Sequence, residues 1–216
     1  MSKLVELERL QEIARIGKAN APCKVVAMEG VDASGKSSIA RALGAYGDCA
    51  FLKIPDAYVS GMMREHLSFS ADPVAKALVY TASLIDRKAM AAALPSQVHF
   101  AVTDRSLWST VALVYARQPE KVSDVVGFFL SVAKYVPIPA VAYVMDVPYE
   151  VCRARVSHRS AADQRHDGMP RAEFDRHMAF YRQLAELDLG VRIFKQDSSA
   201  SAEVNAERIH QELLNK

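Results

Sequence analysis

Gly30-Val31-Asp32-Ala33-Ser34-Gly35-Lys36-Ser37 is the stretch on which the reading of this chain turns, because it fits G-x-x-x-x-G-K-[ST]. A strand-like apolar run, Lys24 to Met28, leads directly into it, and Ile39, Ala40 and Leu43 follow at helical spacing. Strand, loop and helix are the context this chemistry needs. The glycines let consecutive backbone N–H groups turn inward around phosphate oxygens, and the following helix adds the positive end of its dipole. Lys36 then reaches the terminal phosphates, the Ser37 hydroxyl is a ligand for Mg²⁺, and Ser38 opens the helix. A nucleoside triphosphate is the expected ligand of Gly30 through Ser38.

Outward from this loop, strand-like and helical segments alternate to the end of the chain, the rhythm of an α/β protein. The strand candidates are Lys24 to Met28, Ala50 to Ile54, Val98 to Thr103, Ala140 to Met145 and Val191 to Phe194. Their near-continuous Val, Ile, Ala and Phe content suits a parallel sheet covered on both faces. Helices are expected over Lys3 to Lys18, from Pro73 after an Asp72 cap towards Pro95, over Leu107 to Ala116, Glu120 to Tyr135, Tyr149 to Val156, Arg171 to Leu187 and Ala202 to Leu213. The chain divides into an N-terminal helical extension over residues 1–20 and one catalytic-type domain over 21–216.

Composition removes several function classes. The 216 residues are 50% apolar and 24% charged, enough for a core that needs no metal or disulfide staples. A net charge of +2, from 27 basic and 25 acidic residues spread along the chain, lacks the basic stripe of a nucleic-acid reader. Val125 to Leu130, the longest kind of apolar run present, is far too short for a membrane span, and Glu6, Glu8 and Glu12 interrupt what a secretory leader would need. A cytoplasmic location is expected. Cys23, Cys49 and Cys152 form no C-x-x-C pair and read as reduced thiols.

One segment breaks the pattern. Residues 157–170 have almost no apolar side chain yet carry Arg159, Asp163, Arg165 and Asp167. An arginine-bearing polar stretch between two helices reads as a flap over an anionic ligand. A switch GTPase would carry an N-K-x-D base-reading motif, which is absent from the sequence.

The residues around the loop resemble those of the thymidylate kinase family. Glu29 through Ser37 looks like the E-G-x-D-x-x-G-K-S phosphate loop of that family, Lys53-Ile54-Pro55-Asp56 like its basic-x-P-acidic element, and Thr103-Asp104-Arg105-Ser106 like its D-R-Y element. Order and spacing agree, and the likeness runs thinly from Val25 to Leu214 through the arginine-rich lid and the Asp197-Ser198-Ser199 turn. The resemblance implies a three-layer P-loop nucleotide kinase fold: a five-stranded parallel sheet with helices on both faces and a lid over about 157–170.

It also implies roles. Asp32 would touch the acceptor nucleotide's 3′-OH, or it is a solvent-facing loop carboxylate. Arg105, at the end of a central strand, would grip an acceptor phosphate bidentately, unless it makes a structural salt bridge with Asp104 or Asp86. Asp104 would join Ser37 in holding Mg²⁺. Lys53 and Asp56 would face the same crevice or form an exposed turn pair. Ser109 would line the acceptor site, and Tyr80 would stack on the acceptor base or serve as a core tyrosine. In this family the catalytic arginine comes from inside the phosphate loop or from the lid. Ala33 occupies the loop position, so the lid must supply it from Arg153, Arg155, Arg159 or Arg165, with Arg159 and Arg165 favoured because they fall inside the apolar-poor flap.

The implied reaction moves the γ-phosphoryl group of ATP to a deoxynucleoside monophosphate, first of all dTMP. Deoxynucleoside kinases also resemble this chain, with an E-R-S element in place of Asp104-Arg105-Ser106 and a catalytic glutamate where Asp56 stands. Ser106, in place of a usual Tyr or His, and Leu84, in place of an arginine that contacts thymine, are departures that favour the nucleoside acceptor; Arg87 is placed to compensate for Leu84. Asp32, where nucleoside kinases carry Asn, favours the monophosphate. A nucleotide-binding protein with a dead acceptor site is a third reading. A homodimer through helices is implied, with Val122, Val125, Val126, Phe129 and Leu130 forming either core or interface.

Overall fold

The computed structural model describes residues 3–19, 24–52, 72–158, 169–197 and 199–215. Five parallel strands form one sheet: β1 (Lys24–Glu29), β2 (Cys49–Phe51), β3 (Phe100–Asp104), β4 (Val141–Asp146) and β5 (Val191–Lys195), in the order β2-β3-β1-β4-β5. The expected α/β class and parallel sheet are thus present. Val25, Val26, Ala27 and Met28 of β1 are all buried, as a central strand covered on both faces requires. From β1 the chain first builds towards β2 and β3, then crosses to β4 and β5. That reversal opens a crevice at the carboxyl end of β1. The register places Met28 beside Asp104 on β3, so the ends of these two strands meet at the crevice.

The helices are α1 (Lys3–Ala19), α2 (Lys36–Leu43), α3 (Pro73–Ala92), α4 (Leu107–Arg117), α5 (Val122–Val132), α6 (Tyr149–Ser157), α7 (Arg171–Glu186) and α8 (Ala202–Leu214). Asp72 caps α3 as its sequence position suggests, accepting from Val74 N at 2.7 Å and Ala75 N at 3.2 Å, with Pro73 at the first helical position. The helix expected over Glu120 to Tyr135 is shorter. Pro119–Lys121 is a 3₁₀ turn, and beyond Val132 the chain continues in tighter turns, with Tyr135 N donating to Val132 O.

Helix α1 packs into the same core as the sheet. Leu10, Ile13 and Ala14 are buried, and α1 lies against α5. Gly17 touches the chain after α5 so closely that a Cβ there would lie 1.7 Å from Ile138 Cγ1. Val122, Val125, Val126 and Phe129 are core residues on the helix that packs against α1, and Leu130 is half-buried. At the other end, His210 of α8 reaches Asp48, at the turn before β2, at 2.8 Å and stacks on Tyr46. Cys49 and Cys152 are buried and unpaired; burial pushes the Cys49 thiol up to about 12, which keeps it protonated. No described helix is long and apolar enough to cross a membrane.

Candidate active site

The phosphate loop takes its shape from backbone conformations that favour glycine. Gly30 has φ +124° and Gly35 has φ +94°, the latter at the N-cap of α2; Ala33 adopts φ +62° despite its Cβ. Lys36 is 4% exposed, and its ammonium folds back onto Val31 O and lies 3.4 Å from Ser34 Oγ. Burial, assisted by Arg105, pushes its pKa down to about 8 against the opposing pull of Asp32, Asp104 and Glu29. A lysine so poorly solvated gains strongly from any anion that enters the loop.

Ser37 and Asp104 are brought together as the sequence suggests: Ser37 Oγ donates to Asp104 Oδ2. The other oxygen, Asp104 Oδ1, is buried without a hydrogen-bond partner. A hard oxygen pair with one unsatisfied carboxylate oxygen, at the foot of a phosphate loop, suits Mg²⁺.

Arg105 follows the last residue of β3 and lies in the left-handed region, at φ +70°. For a residue with a Cβ this conformation costs of order 1–3 kcal/mol and persists only where the surroundings enforce it. Here its N–H donates to Met28 O at 2.9 Å, and its carbonyl accepts from Arg87 Nη1 at 2.9 Å. Its guanidinium pairs with the Asp32 carboxylate, donates to Gly30 O at 3.3 Å and lies 3.5 Å from Ser109 Oγ. The ion-pair partner is therefore Asp32, in place of Asp104 or Asp86. Burial alone would lower the guanidinium's pKa, but Asp32 and Asp104 outweigh it and hold it above the usual value.

Behind Arg105 lies a cluster that the sequence reading missed. Glu29, wholly buried, accepts from Ser106 N at 2.7 Å and Ser106 Oγ at 2.5 Å on one oxygen, and from Ser109 Oγ and Tyr181 OH (2.7 Å) on the other. Burial raises its pKa, and the hydroxyl donors oppose that rise. Glu29 stood in the sequence as the first letter of the E-G-x-D-x-x-G-K-S loop, but nothing there tied it to Ser106 and Ser109. Tyr181 carried no signal, because it sits on α7, 152 residues away. His177, one helical turn before it, is 2% exposed, with neither ring nitrogen hydrogen-bonded and its ring centroid 5.2 Å from that of Tyr181. Burial, then Arg105 and Lys36, push its pKa down to about 3, so it is neutral.

Tyr80 of α3 is 37% exposed, which removes the core-tyrosine alternative. Burial raises its phenol pKa, and it senses the charges of Arg105 and Asp32 at the crevice. Leu84 is buried in the core, and Arg87 is committed to the backbone of Arg105. Of the lid candidates, Arg155 on α6 donates to Ala33 O at 3.2 Å, within the phosphate loop, whereas Arg153 is exposed. Lys53, Asp56, Arg159 and Arg165 lie outside the described residues. A cleft of about 280 Å³ adjoins the loop on the side of Arg155, bounded by Ala33, Gly35, Ser38 and Gln196.

The arrangement offers main-chain donors and Lys36 to one anionic group, and Arg105 to a second beside it. A sequence model of a family described as thymidylate kinase matches residues 28–209. No curated protein matches the chain in sequence. Among solved structures, the thymidylate kinase of Candida albicans aligns over 89% of this chain and 92% of its own, with a TM-score of 0.63 at 20% identity. A deoxyadenosine kinase of M. mycoides, solved with the products dCMP and dCDP, aligns over 89% of this chain and all of its own, with a TM-score of 0.65 at 13% identity. The same enzyme with bound dATP gives 0.61 at 15% identity, over 88% of this chain and 99% of its own.

Proposed function

Because the chain belongs to the thymidylate kinase family, whose members are ATP-dependent phosphotransferases, we propose that it transfers the γ-phosphoryl group of ATP to a deoxynucleoside monophosphate, dTMP foremost. The observation that carries this reading is the placement of Arg105. A guanidinium at the end of β3, anchored to Gly30 O and Asp32 beside the loop, suits an acceptor that already bears a phosphate. A neutral nucleoside would need a base to activate its 5′-hydroxyl, whereas a monophosphate acceptor would not.

Phosphoryl transfer is chiefly positioning and charge neutralisation. Gly30 through Ser38 would hold the donor phosphates through main-chain N–H groups, with Lys36 turning from Val31 O to the terminal phosphates. The cleft beside Arg155 would take the rest of ATP. Ser37 and Asp104 would hold Mg²⁺, which when bound neutralises charge on the transferring phosphates. Arg105 would orient the acceptor phosphate, Asp32 the acceptor sugar hydroxyl, and Tyr80 the acceptor base, with Ser109, Lys53 and Asp56 completing that side. Arg159 and Arg165 would supply lid charge, and Arg155 joins them because it already touches the loop.

A homodimer is proposed through α3. Leu78, Ala82, Ile85 and Ala89 recur on one exposed face of that helix, with Leu78 at 54% and Ile85 at 43% exposure. A cytoplasmic location is also proposed.

The deciding experiment offers purified protein ATP, Mg²⁺ and each natural deoxynucleoside and deoxynucleoside monophosphate in turn. Transfer to dTMP, strongly reduced in Arg105→Ala, is expected. Transfer to nucleosides alone would replace this reading with a deoxynucleoside kinase using Asp56 as base, and transfer to none would leave a nucleotide-binding protein.

A further inference from the structure

We infer that Glu29 is a positioning residue for the acceptor side of the reaction, acting by holding the β3–α4 turn around Arg105; this rests on the proposed function for the identity of the acceptor. Two observations point to the same role. Arg105 occupies a left-handed conformation that a residue with a Cβ takes only under constraint. The residue that follows it, Ser106, is bound to Glu29 Oε1 through both its N–H and its hydroxyl, and Ser109, which touches the Arg105 guanidinium, is bound to Oε2.

Glu29 sits at the end of β1, immediately before Gly30, so one carboxylate ties the acceptor turn to the start of the donor loop. Tyr181 adds α7 to the same carboxylate, and α7 packs along α4. Every donor to Glu29 thus comes from the wall behind Arg105 or from the helix bracing that wall. A buried carboxylate with these partners is satisfied only in this geometry, so the network is all-or-none in character. Glu29 itself is inaccessible and touches no ligand; its effect passes through the angle at which Arg105 meets the acceptor.

The test is a double-mutant cycle of Glu29→Gln with Arg105→Ala. The amide keeps the volume but cannot accept from donors on both sides. Glu29→Gln alone is expected to lower kcat/KM for the monophosphate about tenfold to a hundredfold, as loss of an orienting partner does elsewhere, with KM for ATP unchanged. In the Arg105→Ala background it is expected to add nothing. Additive losses, or an equal rise in KM for ATP, would overturn the inference, since a general loosening of the fold damages both sites. If Glu29→Gln does not fold, Tyr181→Phe removes one donor and is held to the same criteria. Should the unmodified protein transfer phosphate to no acceptor, the proposed function fails by itself. The cycle is then read in dTMP binding by calorimetry, where the same non-additivity upholds the inference and additivity or absence of binding overturns it.

Discussion

The guanidinium of Arg105 is paired with the carboxylate of Asp32 across the mouth of the phosphate loop, 73 residues apart in sequence. Both groups are about one-third exposed, so the pair adds little to stability. Its consequence is positional: each residue holds the other beside the phosphate loop, where the proposed function puts the meeting of donor and acceptor phosphates.

The left-handed backbone at Arg105 separates stability from function at one position. Arg105→Gly relieves about 1 kcal/mol or more of conformational strain while removing the guanidinium. Its melting temperature is expected to exceed that of Arg105→Ala, while monophosphate turnover falls alike in both. Equal melting temperatures would show that the turn is not strained.

Lys36 makes the fold more stable in base. Its folded pKa, about 8, lies below the ordinary 10.5. The cost of keeping a buried ammonium is therefore fully present below pH 8 and fades as pH rises from 8 towards 10.5, where the unfolded chain still binds the proton. Lys36→Met should remove a cost of order 3 kcal/mol at neutral pH. The difference in unfolding free energy between variant and wild type should shrink across that window; a difference independent of pH would refute the assignment. ATP affinity of the wild type should fall over the same range, because the deprotonated amine no longer attracts phosphate.

His177 is a polar residue in a place that rewards an apolar one. With both ring nitrogens buried and without partners, His177→Phe should stabilise the protein by about 1 kcal/mol or more. Calorimetric melting checks this. A lowered melting temperature would mean that the ring nitrogens are satisfied in solution.

Helix α1 is expected to be integral to folding. Gly17→Ala sets a methyl group against Ile138 and should destabilise by about 1–3 kcal/mol, the usual cost of overpacking. Denaturant titration should show an earlier midpoint. No change would mean that α1 detaches readily.

Much of the site could be read from neighbouring letters. The phosphate loop is a contiguous motif whose residues act together because they are adjacent, and Asp72 could be assigned as a cap because capping is a matter of two or three residues. The Ser37–Asp104 pair was legible because both ends are motif-bound and β1 and β3 are adjacent strands. Polarity marks a flap and so singles out Arg159 and Arg165 in the sequence, whereas the reach of Arg155 on α6 to Ala33 depends on how that helix is set against the sheet.

What the sequence by itself determined is everything with short range: the cradle, the alternation of strands and helices, and the family the chain resembles. Tertiary structure alone decided which carboxylate Arg105 meets, that α5 lies against α1 with Val125, Val126 and Phe129 in the core, and that Glu29, Ser106, Ser109 and Tyr181 share one hydrogen-bond network. The physical reason is burial. A carboxylate withdrawn from water must find its donors wherever the fold brings them, and those donors lie 77 to 152 residues away, beyond the reach of any local pattern.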